Sequence, residues 1–232
     1  MLNTVLGITL ARGGSKRLPH KNIKKLHSIP LIEYTIKAAK LSKHINRYMI
    51  STDDQEIAQV AIAAGADVPF LRPSHLAEDH STTIDVCLHV LNEYQIREGY
   101  DPDIIVLLQP TSPLRTEKHI DEALNLLEQK NADSVISVCP IEYSLHSIMN
   151  MKQEGTITPY FPNSISKQFE TNINVFRPNG AIYAVKTNYL KTKKSFYSEK
   201  TYPYIMSPSQ SIDIDTELDF QIASFLMGKE NN

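Results

Sequence analysis

The sequence predicts an α/β protein of three layers, with helices on both faces of a mostly parallel sheet. Short apolar runs alternate with amphipathic stretches of helical period along most of the first 139 residues. The run Ile104–Leu108 is apolar throughout, as expected of a strand covered on both sides. Polar segments rich in charge, proline and hydroxyl groups collect after the strands, where such sheets bind ligands.

In chain order, Thr4–Leu10 reads as a strand and Leu31–Leu41 as a helix, with apolar residues recurring every three or four positions. Tyr48–Ser51 is a short strand, Glu56–Ala64 a helix and Asp67–Phe70 a further strand. Thr82–Arg97 places Val86, Val90 and Leu91 on one helical face, and Ile104–Leu108 follows as a strand. Glu117–Lys130 is an amphipathic helix and Ser134–Val138 a strand. Residues 140–178 then hold several prolines and weak periodicity, as in an excursion from the sheet or an arm that meets a partner. Gly180–Val185 returns as a strand and Thr216–Met227 closes the chain as a helix. There is no internal repeat. The expected arrangement is Rossmann-like, with right-handed crossovers.

At 232 residues the chain can bury one full core. A hydrophobic content of 41% and a charged content of 22% are those of a globular protein. A net charge of −2 gives no general attraction to nucleic acid or to an acidic membrane. No apolar run approaches a membrane span, and no basic segment precedes the first strand, so a cytoplasmic location is expected. Cys87 and Cys139 form no Cys-x-x-Cys pair and read as buried thiols in a reducing compartment.

The first strand empties into Ala11-Arg12-Gly13-Gly14-Ser15-Lys16-Arg17-Leu18-Pro19-His20-Lys21-Asn22. Its glycines let backbone N–H groups approach an anion, and Arg12, Lys16, Arg17 and Lys21 add four cations within ten residues. On a nearly neutral body this favours a small phosphate-bearing ligand. The loop matches neither the Walker pattern nor the dinucleotide Gly-x-Gly-x-x-Gly, which disfavours a hydride-transferring enzyme. After Tyr48–Ser51, Asp53 could bind a ligand hydroxyl, but a helix cap is the plainer role. In the segment Leu71–Thr83, Arg72 could hold a phosphate or a base carbonyl, and Asp79, Ser81 and Thr82 could cap the next helix. Gln109 and Pro110 open a proline-stiffened loop, and the Gln109 amide suits the edge of a nucleobase. Asp213 and Asp215 point to one side of an extended segment, where two carboxylates favour a shared cation such as Mg²⁺. Alternatively Asp215 caps the last helix with Asp219 in reciprocal contact. No histidine, cysteine and carboxylate cluster has zinc spacing, and no Gly-x-Ser-x-Gly elbow is present.

Six segments in this order, ARGGSKRLPHKN, STDD, LRPSHLAEDHS, LLQPTSPLR, FRPNGAIY and SIDIDTELDF, resemble the acylneuraminate cytidylyltransferases, or CMP-sialic acid synthetases. The resemblance covers nearly the whole chain. It implies transfer of CMP from CTP to a nine-carbon 2-keto sugar acid, with Mg²⁺ as cofactor and pyrophosphate as the second product. It implies Arg12, Lys21 and Asp215 as catalytic residues, with Lys21 nearest the α-phosphate. Ser15, Lys16, Asn22, Arg72, Ser81, Gln109 and Pro110 would hold the nucleotide. Gln109, Arg177, Asn179 and Tyr183 would line the sugar side, and Asp213 and Asp215 would carry the metal. No residue stands out as general base. The hydroxyl proton would leave through a metal-lowered pKa, or through water to Asp213 or Asp215. Residues 1–139 and 179–232 would form the nucleotidyltransferase domain, and 140–178 an extension that dimerises and reaches the neighbouring site. Ile141–Asn150, with His146 and no lysine, would shape the sugar pocket. N-acetylneuraminate is the first expectation, with legionaminic and pseudaminic acid behind it and the eight-carbon (Kdo) acid lower. A nucleotide-binding regulatory protein without turnover is the competing class.

Overall fold

The strand β1 (Val5–Leu10) follows from its alternation: Leu6 and Ile8 enter one apolar layer and Val5 the other, so both faces are buried. The computed structural model describes residues 4–141, 145–161 and 175–230. Around β1 the chain builds β4 (Arg47–Ser51), β5 (Ile104–Leu107), β6 (Ser134–Pro140), β9 (Phe176–Lys186) and β10 (Thr201–Ile205) into a sheet of order β10-β6-β9-β5-β1-β4. Two short hairpins complete the strands: β2 (Lys25–Leu26) with β3 (Ile29–Pro30), and β7 (Met149–Met151) with β8 (Ile157–Pro159).

One face of the sheet is covered by α1 (Leu31–Leu41), α2 (Gln55–Ala63) and α4 (Glu117–Gln129), whose Ile36, Ile57, Leu124 and Leu127 pack on Ile50, Val106 and Val135. The other is covered by α3 (Thr83–Glu98) and α5 (Thr187–Lys193), whose Val90, Leu91, Tyr94 and Leu190 pack on Leu6, Ile105 and Val185. A smaller core joins α6 (Glu217–Glu230) to the loop after β1, through Phe220 and Ala223 against Leu18, Leu26, Leu31 and Ile214. The three layers expected from the sequence are present. Cys87 and Cys139 are both free and buried, and burial pushes the Cys87 thiol up to about 12. Among the described residues no helix is long and apolar enough to cross a membrane.

Four elements depart from the sequence reading. Asp67–Phe70 is not a strand: Asp67 makes one isolated parallel bridge to Met49, and Pro69 cannot donate to a continued ladder. The segments β10 and α5 were absent from the periodicity; β10 is an edge strand with Pro203 at its centre. The strand β9 is longer than expected and antiparallel to both β5 and β6. The chain leaves β6 and re-enters β9 at the same end of the sheet, so no crossover is needed and the direction reverses. The chain thus leaves and rejoins the sheet at the carboxyl end of the parallel strands. Residues 142–144 and 162–174 of the excursion 140–178, with part of the expected sugar-pocket stretch 141–150, lie outside the described residues.

Candidate active site: a cationic loop facing an aspartate pair

The loop after β1 is held open by its neighbours. The Ala11 N–H donates to the Ser51 carbonyl at 3.0 Å, and the Gly13 N–H to the Asp53 carboxylate at 3.2 Å. A Cβ on Gly13 would lie 2.5 Å from Asp54 Oδ2, so only glycine lets the loop pass so close to the β4–α2 turn. The expected cap is thus displaced by one residue. Asp54 accepts from the N–H groups of Glu56 and Ile57, and Asp53 braces the loop. Asn22 is buried and donates to the Arg12 carbonyl at 3.0 Å, closing the loop on itself.

Across from this loop, Ile214 is fully buried in the small core, which turns Asp213 and Asp215 the other way. The N–H of Ile214 donates to the Thr111 carbonyl at 2.9 Å. Thr216 and Asp219 cap α6 reciprocally: Asp219 accepts from the N–H of Thr216 and of Asp215, and its own N–H reaches Thr216 Oγ1. Asp215 is therefore not the cap. Its side chain takes Lys21 at 2.9 Å and Arg17 at 3.2 Å, and Lys21 also donates to the Ile214 carbonyl at 2.8 Å. Arg12 and Lys16 pair with Asp79, whose carboxyl they hold below the usual range, Lys16 contributing most. Burial, and then the charge of Asp215, raises the Asp213 carboxyl, against a Thr111 hydrogen bond.

These groups surround a cleft of about 620 Å³ lined by both sides of the molecule. Arg12, Ser15, Lys16, Lys21, Asn22, Gln109, Pro110, Asp213 and Asp215 all border it. Arg72 and Ser81 border an adjoining hollow of about 280 Å³ that shares Leu10, Arg12, Asp79 and Thr83 with the cleft. Arg72 is buried and spends donors on the Ser51 hydroxyl and carbonyl, and burial lowers its pKa.

Of the four residues expected on the sugar side, Gln109 borders the cleft, and Arg177, Asn179 and Tyr183 fall outside both linings. Asn179 is 1% exposed and fully engaged. Its Oδ1 accepts from Ser137 and from the Ala181 N–H, and its Nδ2 donates to Ser211 at 2.8 Å. It stitches a bulge in β9, where the register against β6 shifts between Ile136 and Val138. Arg177 is exposed beside that bulge, opposite Cys139. Tyr183 pairs in register with Leu107 and packs on Phe196, and burial pushes its phenol up to about 12.

The bulge instead presents Gly180, a position sequence reasoning missed within FRPNGAIY. Its φ is +80°, and an added Cβ would lie 2.6 Å from Gln109 Oε1 and 3.4 Å from Asp213 Oδ2. Thr83, Thr111 and Asp79 also border the cleft without having been assigned to it; only their place after strands hinted at this. Gly180→Ala is expected to cost about 1–2 kcal/mol of backbone strain, lowering Tm by roughly 2–8 °C, and to push Gln109 aside. A thermal melt with kcat/KM measured alongside checks it, and an unchanged kcat/KM would separate Gly180 from the site.

The cytidylyltransferase family profile matches residues 6–230. The chain belongs to the cytidylyltransferase family. A CMP-N,N'-diacetyllegionaminic acid synthase of Legionella pneumophila subsp. pneumophila is 37% identical over 227 residues, 96% of each chain. An N-acylneuraminate cytidylyltransferase of Escherichia coli O18:K1:H7 is 35% identical over 233 residues, 100% of this chain and 54% of that protein. The chain thus spans about half the length of that relative and nearly all of the first. A solved CMP:2-keto-3-deoxy-manno-octonic acid synthetase complexed with CTP superposes with a TM-score of 0.71 over 98% of this chain and 99% of that one. At 17% identity that likeness shows the fold.

Proposed function

We propose that this cytidylyltransferase moves CMP from CTP to the anomeric hydroxyl of a nine-carbon 2-keto sugar acid, releasing pyrophosphate. The observation that carries the reading is the meeting of Lys21 and Asp215, 2.9 Å apart, in one cleft although 194 positions separate them in sequence. The cations of the loop suit a triphosphate, and the hollow beside Arg72 and Ser81 suits its base. Transfer of this kind is mostly positioning and charge neutralisation. Gly13 seats the loop against the β4–α2 turn, Lys21 and Arg12 offset charge on the phosphates, and Gln109 with Pro110 fixes the opposite wall.

The donor set fits a magnesium ion. Asp213 and Asp215 supply two carboxylates on one face, and both border the cleft. Two carboxylates completed by substrate phosphates is the ordinary Mg²⁺ arrangement. Bound there, the ion would supply further charge neutralisation on the departing pyrophosphate.

The test is pyrophosphate release from CTP with a panel of sugar acids, the product identified by mass. A CMP-sugar from a nine-carbon acid is expected. CTP binding without release for any acid would leave a nucleotide-binding regulator. N-acetylneuraminate stands first by the motif resemblance. N,N'-diacetyllegionaminate is the second reading, favoured by the relative of matching length that is named for it.

We also propose a homodimer formed through the arm 140–178. Its β7–β8 hairpin leaves Met149 50%, Met151 71% and Ile157 65% exposed, and cross-strand register places Met151 opposite Ile157. Met151→Asp is expected to shift the protein from dimer to monomer in analytical ultracentrifugation; a variant that sediments like the wild type would remove the hairpin from the interface. The unpaired buried cysteines support a reducing, cytoplasmic setting. No feature of the charge distribution calls for nucleic acid or membrane.

A further inference from the structure

Arg115 lies beneath the floor of the cleft and is 2% exposed. One terminal nitrogen donates to the carbonyls of both Gln109 and Ala181, each at 3.0 Å. The other donates to Thr35 Oγ1 at 2.6 Å, and that hydroxyl in turn reaches the Gln109 carbonyl at 3.3 Å. Among the described residues its Nε has no partner. Among the described residues no carboxylate compensates the charge; the ionisable group that it feels is the buried Tyr48 phenol, whose own pKa burial raises. Burial lowers the guanidinium pKa to about 10, so it stays charged at neutral pH.

A buried cation held only by neutral acceptors is a poor way to stabilise a fold, because desolvation outweighs what those bonds return. Its place suggests another use. The β5–β9 ladder runs in register to Leu107 opposite Tyr183 and ends there. Continued by two residues, it would set Gln109 opposite Ala181. Those are the two carbonyls that Arg115 bridges. The guanidinium sits between the two strands at that point as a wedge tied to both. Immediately beyond this wedge lie the Gly180 notch and the Gln109 amide that fills it, within 2.6 Å of where a Cβ would sit.

We infer that Arg115 is a positioning residue that sets the spacing between Gln109 and Gly180, and so the affinity of the cleft for CTP. The inference rests on the reading of this cleft as a CTP site. A fixed guanidinium with two prongs on two strands does this better than an ammonium, which lacks the planar fork.

The test is a double-mutant cycle of Arg115→Met with Gln109→Ala, read by calorimetric CTP affinity at 25 °C with a thermal melt for each variant. CTP binding needs no turnover, so the cycle stands apart from the sugar-acid panel. Each single variant is expected to weaken CTP about tenfold, the loss of roughly one well-made hydrogen bond, and the double variant about tenfold as well. Arg115→Lys is expected to fall between wild type and Arg115→Met. Independent effects multiplying to about a hundredfold would overturn the inference. So would Arg115→Met with a lowered Tm but unchanged affinity, which is the mark of a purely structural role. Should Arg115→Met not fold, Thr35→Val and Arg115→Lys carry the same cycle, since Thr35 holds both the guanidinium and the Gln109 carbonyl. A wild-type chain that binds no CTP would instead refute the cleft reading itself.

Discussion

Lys21→Ala is expected to cut kcat by about ten- to a thousandfold, corresponding to roughly 1.4–4 kcal/mol of lost transition-state stabilisation. Lys21 is the cation of the loop least exposed to water among those paired in the cleft: its side chain is 15% exposed, against 37% for Arg12 and 74% for Arg17. Charge acts most strongly where water is excluded, so its loss should exceed that of either arginine. The 3-10 turn Lys21–Ile23 and the left-handed His20 before it fix where the Lys21 stem begins. Its bonds to the Ile214 carbonyl and to Asp215 fix where it ends. Steady-state kinetics with saturating CTP checks the prediction. A rate within twofold of wild type would take Lys21 out of the chemistry. Lys21→Ala also frees Asp215 from one of its two cations, so a modest fall in Tm is expected alongside.

Asp215→Ala is expected to abolish magnesium-dependent turnover. Asp213 and Asp215 share a face, and the second carboxylate raises the pKa of the first. That repulsion is what a divalent cation would relieve. Removing Asp215 leaves one half-buried carboxylate and leaves Lys21 without its acid. The measurement is rate against magnesium concentration, with calorimetric titration of magnesium in the presence of pyrophosphate as an independent reading. An unchanged metal response would make Asp215 only the counter-ion of Lys21 and Arg17. The capping role that competed for this residue is already occupied, since Thr216 and Asp219 close the first turn of α6 between them.

The cationic loop could be read from sequence because its signal is local. Two glycines and four cations after an apolar strand mean close backbone approach and positive charge wherever the chain goes. Asp213 and Asp215 were readable for a similar reason: period two puts them on one side of any extended segment. The helix Leu31–Leu41 matched to the residue, since its period alone defines the buried stripe. Asn179 shows what such reading leaves out. An asparagine in a polar motif looks like a ligand contact, but here four hydrogen bonds bind it inside a bulge, and a bulge depends on a partner strand that sequence does not name. The direction of β9 was hidden likewise, because a strand buried on both faces has the same composition whichever way it runs.

Sequence by itself determined the layers, the cationic loop and the paired carboxylates, all of which follow from short-range periodicity and charge. Only the tertiary structure decided that Lys21 meets Asp215, that Asp79 faces Arg12 and Lys16, and that Arg115 bridges the carbonyls of Gln109 and Ala181. Those are contacts between segments far apart in the chain. They arise when burial of Ile214 and Phe220 against Leu18 fastens the two ends of the molecule together, and an uncompensated guanidinium is visible as such only once its surroundings are known.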